Sequence, residues 1–475
     1  MSDVLNLEDT KVVKKENKVR LHTGSTDREI TLELKRTLGS VVYIPENDEF
    51  YIYNGKVWKS EHRKRLQSRA LNVLYEIDNG KKANKQKASS IIDHLELTSQ
   101  IEVDRSINDK RNYLILNNGV LDIGSKSFSL KKHSPIIYNT NLLQVSVGED
   151  DLRNVRCDAY SHLSDAPIFK RFLNDTFSKE YYKEPEETIS LVQEMMGYCL
   201  TSHTKAQKAF FLKGDGQDGK SVICDVLEGI LGKENTTQMN FESFNKEFYV
   251  ASLIGKNASI SRESKRMRFK EDANTGTFKA IVSGDAMQIN RKNKETISCK
   301  LFSKLIFAVN HYPEVPDNSH GFARRVINIP FKRRVPMEEI NENLASDILK
   351  SELKQVFLFA LQGLYRLQSR GYQFLPSKDI KTATSTYLNI IDPIQDFINK
   401  NLVINYSAKI RPDRLQELYL EYMELNNISG TVNEKAIGKV IIEKYGSDNV
   451  TKKKTAFDGD VSRKTYYIGI GEKHS

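Results

Sequence analysis

Gly214-Asp215-Gly216-Gln217-Asp218-Gly219-Lys220-Ser221 fits the pattern G-x-x-x-x-G-K-[ST] at every fixed position. Glycines let backbone N–H groups close around phosphate oxygens that side chains would obstruct. Lys220 supplies a point charge to β- and γ-phosphates, and Ser221 offers a hydroxyl to Mg²⁺. Gly214, Gly216, Asp218, Gly219, Lys220 and Ser221 are therefore the expected nucleotide-binding set. The flanks agree. Ala209-Phe210-Phe211-Leu212 is a short apolar run suited to a buried strand. Val222 to Leu231 has helical periodicity, with Gly232 as a stop. Strand, loop and helix in this order predict an α/β fold built on a P-loop ATPase core, with ATP and Mg²⁺ as ligands. The loop is expected to be solvated, so that removing the Lys220 charge leaves the fold intact.

The chain has 475 residues, room for two to four domains. It contains no apolar run of bilayer length and no apolar signal core at its start, so a soluble, cytoplasmic protein without a membrane partner is expected. Four cysteines, Cys157, Cys199, Cys224 and Cys299, stand singly. That spacing argues against structural zinc and against a disulfide framework, and for reduced, mostly buried thiols. The net charge of +10 suits a polyanionic partner. Lysine-rich surfaces also serve solubility alone, so the charge gains meaning only beside the ATPase signature.

Composition divides the chain. Residues 1–30 are polar and charged and read as a flexible tail. Residues 31–155 read as an N-terminal α/β domain, with a hairpin turning at Asn54-Gly55, helical pattern over 62–100, and strand, turn, strand over 113–122. The ATPase core is expected over 156–336, with helical pattern from Ile168 to Leu200 and Phe169, Phe172 and Leu173 on one face. A helical segment follows over 337–395, with one amphipathic helix at 348–370, and Asp392-Pro393 marks a boundary. Residues 396–475 read as helix (414–426), helix (433–445) and two short strands around Phe457-Asp458-Gly459-Asp460. That order predicts a winged helix.

Downstream of the loop, each further part of an ATPase has a candidate. Glu263 ends a strand-like segment diluted by Ser259 and Ser261; it would hold Mg²⁺ and polarise the attacking water. Lys304-Leu305-Ile306-Phe307-Ala308-Val309 is an apolar strand ending in Asn310, whose amide suits the γ-phosphate and the water. Arg324 and Arg325 open another strand and fit an arginine finger presented to a neighbouring subunit; the sequence does not choose between them. Between acid and amide lies Arg291-Lys292-Asn293-Lys294, a basic hairpin tip suited to a phosphate backbone. In the C-terminal region, Lys435 and Lys439 share a helix face that could enter a major groove, and Lys453 and Lys454 lie on the expected wing.

This ordered set resembles a superfamily 3 helicase of the branch shared by poxvirus, phage and plasmid primase-helicases. Asn118-Gly119-Val120-Leu121-Asp122, Leu191 to Leu200, Ser283-Gly284-Asp285, Asn310 with Pro313, and Arg324-Arg325 with Pro330-Phe331 follow in family order. Length and lysine-rich style look most like the Rep replication initiators of staphylococcal pathogenicity islands. The resemblance implies AAA+-type cores in a homo-hexameric ring around one DNA strand, with residues 31–155 as a collar. It implies an ATP-dependent DNA helicase and replication initiator of a mobile element, with single-stranded DNA, origin duplex and host replication proteins as partners. Two departures matter. No D-x-D stands on a strand before the ATPase region, so primer synthesis is not expected, and the second acid is Arg262-Glu263 rather than an acidic pair. The competing reading is an ATP-switched origin-binding protein that recruits a host helicase without unwinding DNA itself.

Overall fold

A capping box opens the first helix of the described residues. The structure is a computed structural model describing residues 21–473, apart from 23, 46–47, 79–80, 82, 101–107, 109–111, 125–127, 156–160, 264–271, 314, 316–319, 427–433 and 456–461. Thr26 Oγ1 accepts from the Glu29 N–H (3.3 Å), and the Glu29 carboxylate accepts from the Thr26 N–H (2.7 Å), starting α1 (Asp27–Leu38). Residues 27–30, assigned to the tail on composition, are thus its first turn; residues 1–20 lie outside the described residues. Strands β1 (Val41–Ile44), β2 (Glu49–Tyr53) and β3 (Trp58–Glu61) pair antiparallel in that order. Asn54 Oδ1 accepts from the N–H groups of Lys56 and Val57 (3.0 and 2.9 Å), which fixes the turn foreseen at Asn54-Gly55. Helices α2 (Arg63–Asp78) and α3 (Lys85–Thr98) pack with α1 around a core of their own that includes Leu34, Leu66, Ala70 and Ile91.

Next come β4 (Tyr113–Leu116), β5 (Gly119–Asp122), β6 (Ser129–Lys131) and β7 (Leu142–Leu143), a four-stranded sheet ordered β6-β5-β4-β7. Leu114, Leu116 and Leu121 share one apolar cluster with Phe210 and Ile306 of the central sheet. The expected boundary at residue 155 therefore cuts through a packed core, and the first independent core ends before residue 113. Helix α4 (Glu149–Asn154) is followed by α5 (Pro167–Thr176) and α6 (Pro185–Leu200). Phe169, Phe172 and Leu173 of α5 are buried together, as their spacing predicts.

The central layer comprises β8 (Ala209–Lys213), α7 (Lys220–Leu231), β9 (Thr236–Thr237), β10 (Ala258–Glu263), α8 (Asp272–Ser283), the hairpin β11 (Ala286–Arg291) and β12 (Lys294–Lys300), β13 (Lys304–Val309), α9 (His320–Ala323) and β14 (Val326–Pro330). Its five-stranded sheet is parallel throughout and ordered β14-β8-β13-β10-β9. A parallel sheet is covered on both faces, which explains the unbroken apolar runs of β8 and β13. Phe210 packs into one cluster and Phe211 into the other. The serines of β10 are buried yet satisfied: Ser259 Oγ accepts from the Met239 N–H (3.0 Å), and Ser261 Oγ donates to Asn240 Oδ1 (3.2 Å).

The single helix expected over 348–370 is two, α10 (Leu344–Ser351) and α11 (Leu353–Ser369). Glu352 interrupts it. Its buried carboxylate accepts from the N–H groups of Ile168 and Phe169 (2.8 and 2.9 Å), satisfying the open N-terminus of α5. Helix α11 crosses α6 where two glycines meet: a Cβ on Gly197 would lie 2.2 Å from the Ala360 carbonyl oxygen, and one on Gly363 2.3 Å from that of Gln193. Helix α12 (Lys378–Ile391) lies against β14, with Asn328 donating to the Ala383 carbonyl (2.8 Å). Asp392 then caps α13 (Pro393–Asn401). Beyond it come β15 (Leu402–Ile410), α14 (Pro412–Leu425), α15 (Glu434–Tyr445), β16 (Thr451–Thr455) and β17 (Lys464–Glu472). The three strands form an antiparallel sheet ordered β15-β17-β16 around a separate core of Phe397, Leu415, Ile437, Ile441 and Ile470. Helix α13 and strand β15 were missed in the sequence, β17 is longer than the short strand expected, and the turn bearing Asp458 and Asp460 lies outside the described residues. Cys199 and Cys224 are buried and Cys299 is half-buried, whereas Cys157 is not among the described residues.

Candidate functional site

Register brings the glycine-rich loop, Asn310 and Glu263 to one edge of the central sheet. Val309 sits opposite Lys213 on one side and opposite Glu263 on the other. The loop after β8, Asn310 and the end of β10 therefore lie on three adjacent strands, about 4.8 Å apart from strand to strand. The Gly214 N–H donates to the Val309 carbonyl (3.1 Å), and Val335 N–H donates to the Gln217 carbonyl (2.7 Å), so the loop is held from both sides.

Gly219 starts α7 at φ +90°, and a Cβ there would lie 3.0 Å from the Phe172 ring. Lys220 is not solvated as expected. It is 6% exposed, and its ammonium pairs with the carboxylate of Asp218, itself 5% exposed. Removing Lys220 would strand a buried carboxylate, so Lys220→Ala is not a variant that leaves the fold untouched. Ser221 lies exposed beside them.

These residues line a cavity of about 1250 Å³. Ile168 and Phe172 from α5 and Ile340 and Leu344 from before and within α10 give it an apolar wall; Asn310, Arg262 and Arg333 give it polar groups. Arg262 is bound to Asp225 and Glu228 on α7 (2.7 and 2.9 Å), and Arg333 to Glu339 (2.7 Å). Sequence reasoning missed the apolar wall and Arg333, because they come from segments far from the loop and carry no pattern of their own.

A buried cluster braces the same edge. The Tyr182 hydroxyl donates to the Pro330 carbonyl (2.6 Å) and accepts from the Lys332 N–H (3.1 Å), and burial pushes this phenol well above its ordinary range. Asp379, at the start of α12, accepts from the N–H groups of Lys183 and Glu184 (both 2.9 Å) and from the Lys332 ammonium (2.6 Å). Burial alone would raise its pKa; the Lys332 ammonium and the two N–H donors outweigh that and hold it below the carboxylate range.

Arg324 and Arg325 lie at the opposite edge, before β14, about 16 Å from the loop at the usual rise per strand residue. They differ. Arg325 is buried, bonded to Ser283 Oγ (2.6 and 3.0 Å) and the Gly321 carbonyl (2.5 Å), and burial followed by the adjacent Arg324 lowers its pKa. Arg324 is exposed.

The basic hairpin forms where expected, but its tip is engaged. Lys294 pairs with Glu49 of β2 (2.7 Å), and Arg291 approaches the same carboxylate (3.8 Å), while Lys292 is exposed. Lys435, Lys439, Lys453 and Lys454 are all exposed on the C-terminal unit, and Lys439 lies 3.7 Å from Glu443.

A family model described as "D5 N terminal like" matches residues 30–178, and one described as a family of unknown function (DUF5906) matches residues 212–325. The Acanthamoeba polyphaga mimivirus protein described as "Putative helicase L207/L206" is 24% identical over 328 residues, 62% of this chain. These matches support a D5-like primase-helicase family. The chain spans about a third of the mimivirus protein, 31% of its length. The apo structure of the NrS-1 C-terminal region is similar at TM-score 0.55 and 16% identity, covering 93% of this chain and 100% of that one. The A form apo structure of that region gives TM-score 0.53 at 15% identity, covering 92% and 98%. At these identities the likeness is one of fold, a mixed α/β architecture with a parallel sheet. Among the described residues no helix is long and apolar enough to cross a membrane.

Proposed function

We propose that this protein is an ATP-dependent DNA helicase and replication initiator of a mobile genetic element. One observation carries the reading. Numbered along the chain, the parallel sheet runs 5-1-4-3-2, with the glycine-rich loop after strand 1, Asn310 after strand 4 and Glu263 at the end of strand 3. Inserting strand 4 between strands 1 and 3 brings the glycine-rich loop, Asn310 and the end of strand 3 to neighbouring positions, which supports the cradle, amide and acid that hydrolysis of a nucleoside triphosphate requires. The D5-like match and the mimivirus relative support unwinding as the work that hydrolysis drives. The cavity fits the substrate: N–H donors and Lys220 for phosphates, an apolar wall for a base. Ser221 and Glu263 would hold Mg²⁺, which neutralises phosphate charge; one or two protein oxygens with substrate phosphates are its usual setting.

Arg324 is the better finger. It is exposed and stands at the edge remote from its own loop, where it would serve a neighbour rather than its own site; that position supports a ring. The hairpin tip would follow single-stranded DNA. Helix, strand, helix, helix and two strands after Asp392 support a winged helix that reads origin duplex through Lys435, Lys439, Lys453 and Lys454. Ring size of six and kinship with staphylococcal Rep initiators rest on the sequence resemblance alone, and a cytoplasmic location on the hydropathy of the sequence. The test is purified protein in ATPase and forked-DNA strand-displacement assays, with Asn310→Ala as the control. ATP hydrolysis without displacement would favour the origin-binding switch, and absence of both would remove the reading.

A further inference from the structure

The phosphate loop already holds an anion of its own. Asp218 Oδ2 accepts from the Gly216 N–H (3.0 Å) and from the Lys220 ammonium, and Oδ1 accepts from the Lys220 N–H (3.3 Å). These donors are the ones a glycine-rich loop offers to phosphate oxygens. The pair is sealed: Asp218 and Lys220 are 5% and 6% exposed, although the loop borders a large cavity. Gly214 makes room for it, since a Cβ there would lie 2.0 Å from Asp218 Oδ2 and 2.9 Å from Lys220 Nζ.

We propose that the Asp218 side chain is an internal occupant of the phosphate cradle, displaced by the incoming nucleotide and selecting against small phosphates. The proposal rests on the nucleotide reading of this site. A carboxylate presents two oxygens and one negative charge to two N–H groups and one ammonium, so the Asp218–Lys220 pair is neutral and the cradle closed. Binding is then an exchange. The phosphate takes over the N–H groups and the ammonium while Asp218 rotates toward the cavity. Only the fraction of molecules with the carboxylate out is competent, and the apparent affinity falls by that fraction. A nucleotide repays the exchange with contacts along its base and sugar. Inorganic phosphate and pyrophosphate lack those contacts and compete poorly with a group already tethered in place. Asp218 thus sets a threshold that admits nucleotides and turns away the abundant small anions.

The experiment is calorimetric titration of the full-length protein in EDTA with ADP and with pyrophosphate, comparing wild type, Asp218→Asn and Asp218→Ser. Asparagine keeps the shape without the charge; serine opens the cradle. Both variants should bind ADP about ten-fold more tightly or better, the scale of a charge-assisted hydrogen bond returned to the ligand. Pyrophosphate should gain at least as much and should raise the melting temperature of the variants but not of wild type. If wild type binds ADP and the folded variants bind both ligands no more tightly, the proposal is overturned and the nucleotide reading stands. If neither wild type nor variants bind ADP, the nucleotide reading falls and the proposal with it. Should one substitution prevent folding, the other decides.

Discussion

At the scale of residues, burial separates side chains that the sequence presents as equals. Arg324 and Arg325 are adjacent and chemically identical, yet only Arg325 is built into the core, on Ser283 and Gly321. Arg325→Ala should therefore lower stability by about 2 kcal/mol, for lost hydrogen bonds to a charged group. Arg324→Ala should stay within about 0.5 kcal/mol, as surface changes do, yet abolish ATP turnover. Thermal melts and ATPase assays on the two variants check this, and Arg324→Ala mixed with a loop-defective variant should recover activity at mixed interfaces. Asn310→Ala should lower kcat about 10²-fold, the scale for one preorganised polar group, with nucleotide affinity nearly unchanged; equal losses in both would reassign Asn310 to binding. Asp379→Asn tests the brace beneath the site. Losing a charged partner of Lys332 should cost about 2 kcal/mol at neutral pH. Because the folded carboxyl is held below its ordinary value, that stabilisation is present above the ordinary carboxylate pKa and is lost as pH falls through the lower, folded one. Wild-type and variant melting temperatures should converge in acid and diverge toward neutrality. The strand, loop and helix that place the loop glycines, Lys220 and Asn310 at one edge of the sheet were legible because apolar runs and glycine stops are local patterns. The Asp218–Lys220 pairing, the choice between the arginines and the wall of Phe172 and Leu344 were not, because each depends on what distant segments bury.

At the scale of elements, strands and helices with one clear period were legible: β8, β13, α7 and the hairpin at Asn54-Gly55 all lie where alternation, apolar runs or stop signals put them. Elements defined by a tertiary partner were not. The break between α10 and α11 exists because Glu352 is drawn to the N-terminus of α5, and nothing within 348–370 announces that. The hairpin β11–β12 is the instructive middle case. Its position was legible, but its partner Glu49 lies 245 residues away. In this state a carboxylate occupies the charges that DNA would take. Glu49→Gln should therefore strengthen binding of a single-stranded oligonucleotide at low salt, since phosphate no longer competes with an internal acid. Removing Lys292 and Lys294 together should weaken it and flatten the log–log salt dependence by about 1.4, at about 0.7 per contact. Fluorescence anisotropy across a salt series measures both; an unchanged slope in the lysine variant would mean that the tip faces away from DNA.

At the scale of the molecule, apolar clusters rather than composition mark the units. Residues 113–391 share packed cores on the two faces of the central sheet, with α11 against α6 and α12 against β14. The C-terminal unit is different. Its core contains Phe397, Leu415, Ile437 and Ile470 and does not merge with the others, and Asp392-Pro393 stands at the junction. Tyr387 is wholly buried, stacked on Tyr312 and packed against Phe211 of β8, so a cut must fall after α12. A chain ending at residue 392 should keep the melting transition of the central core and its ATPase activity. It should still unwind forked DNA, because hairpin and site remain. Preference for origin duplex over random duplex should disappear, since the exposed Lys435, Lys439, Lys453 and Lys454 leave with the unit. Competition binding with labelled origin DNA at a fixed salt concentration measures that preference, which phosphate contacts alone cannot supply. Retention of origin preference by the truncated chain would move recognition to the region of α1–α3, leaving the C-terminal lysines a role without sequence selectivity.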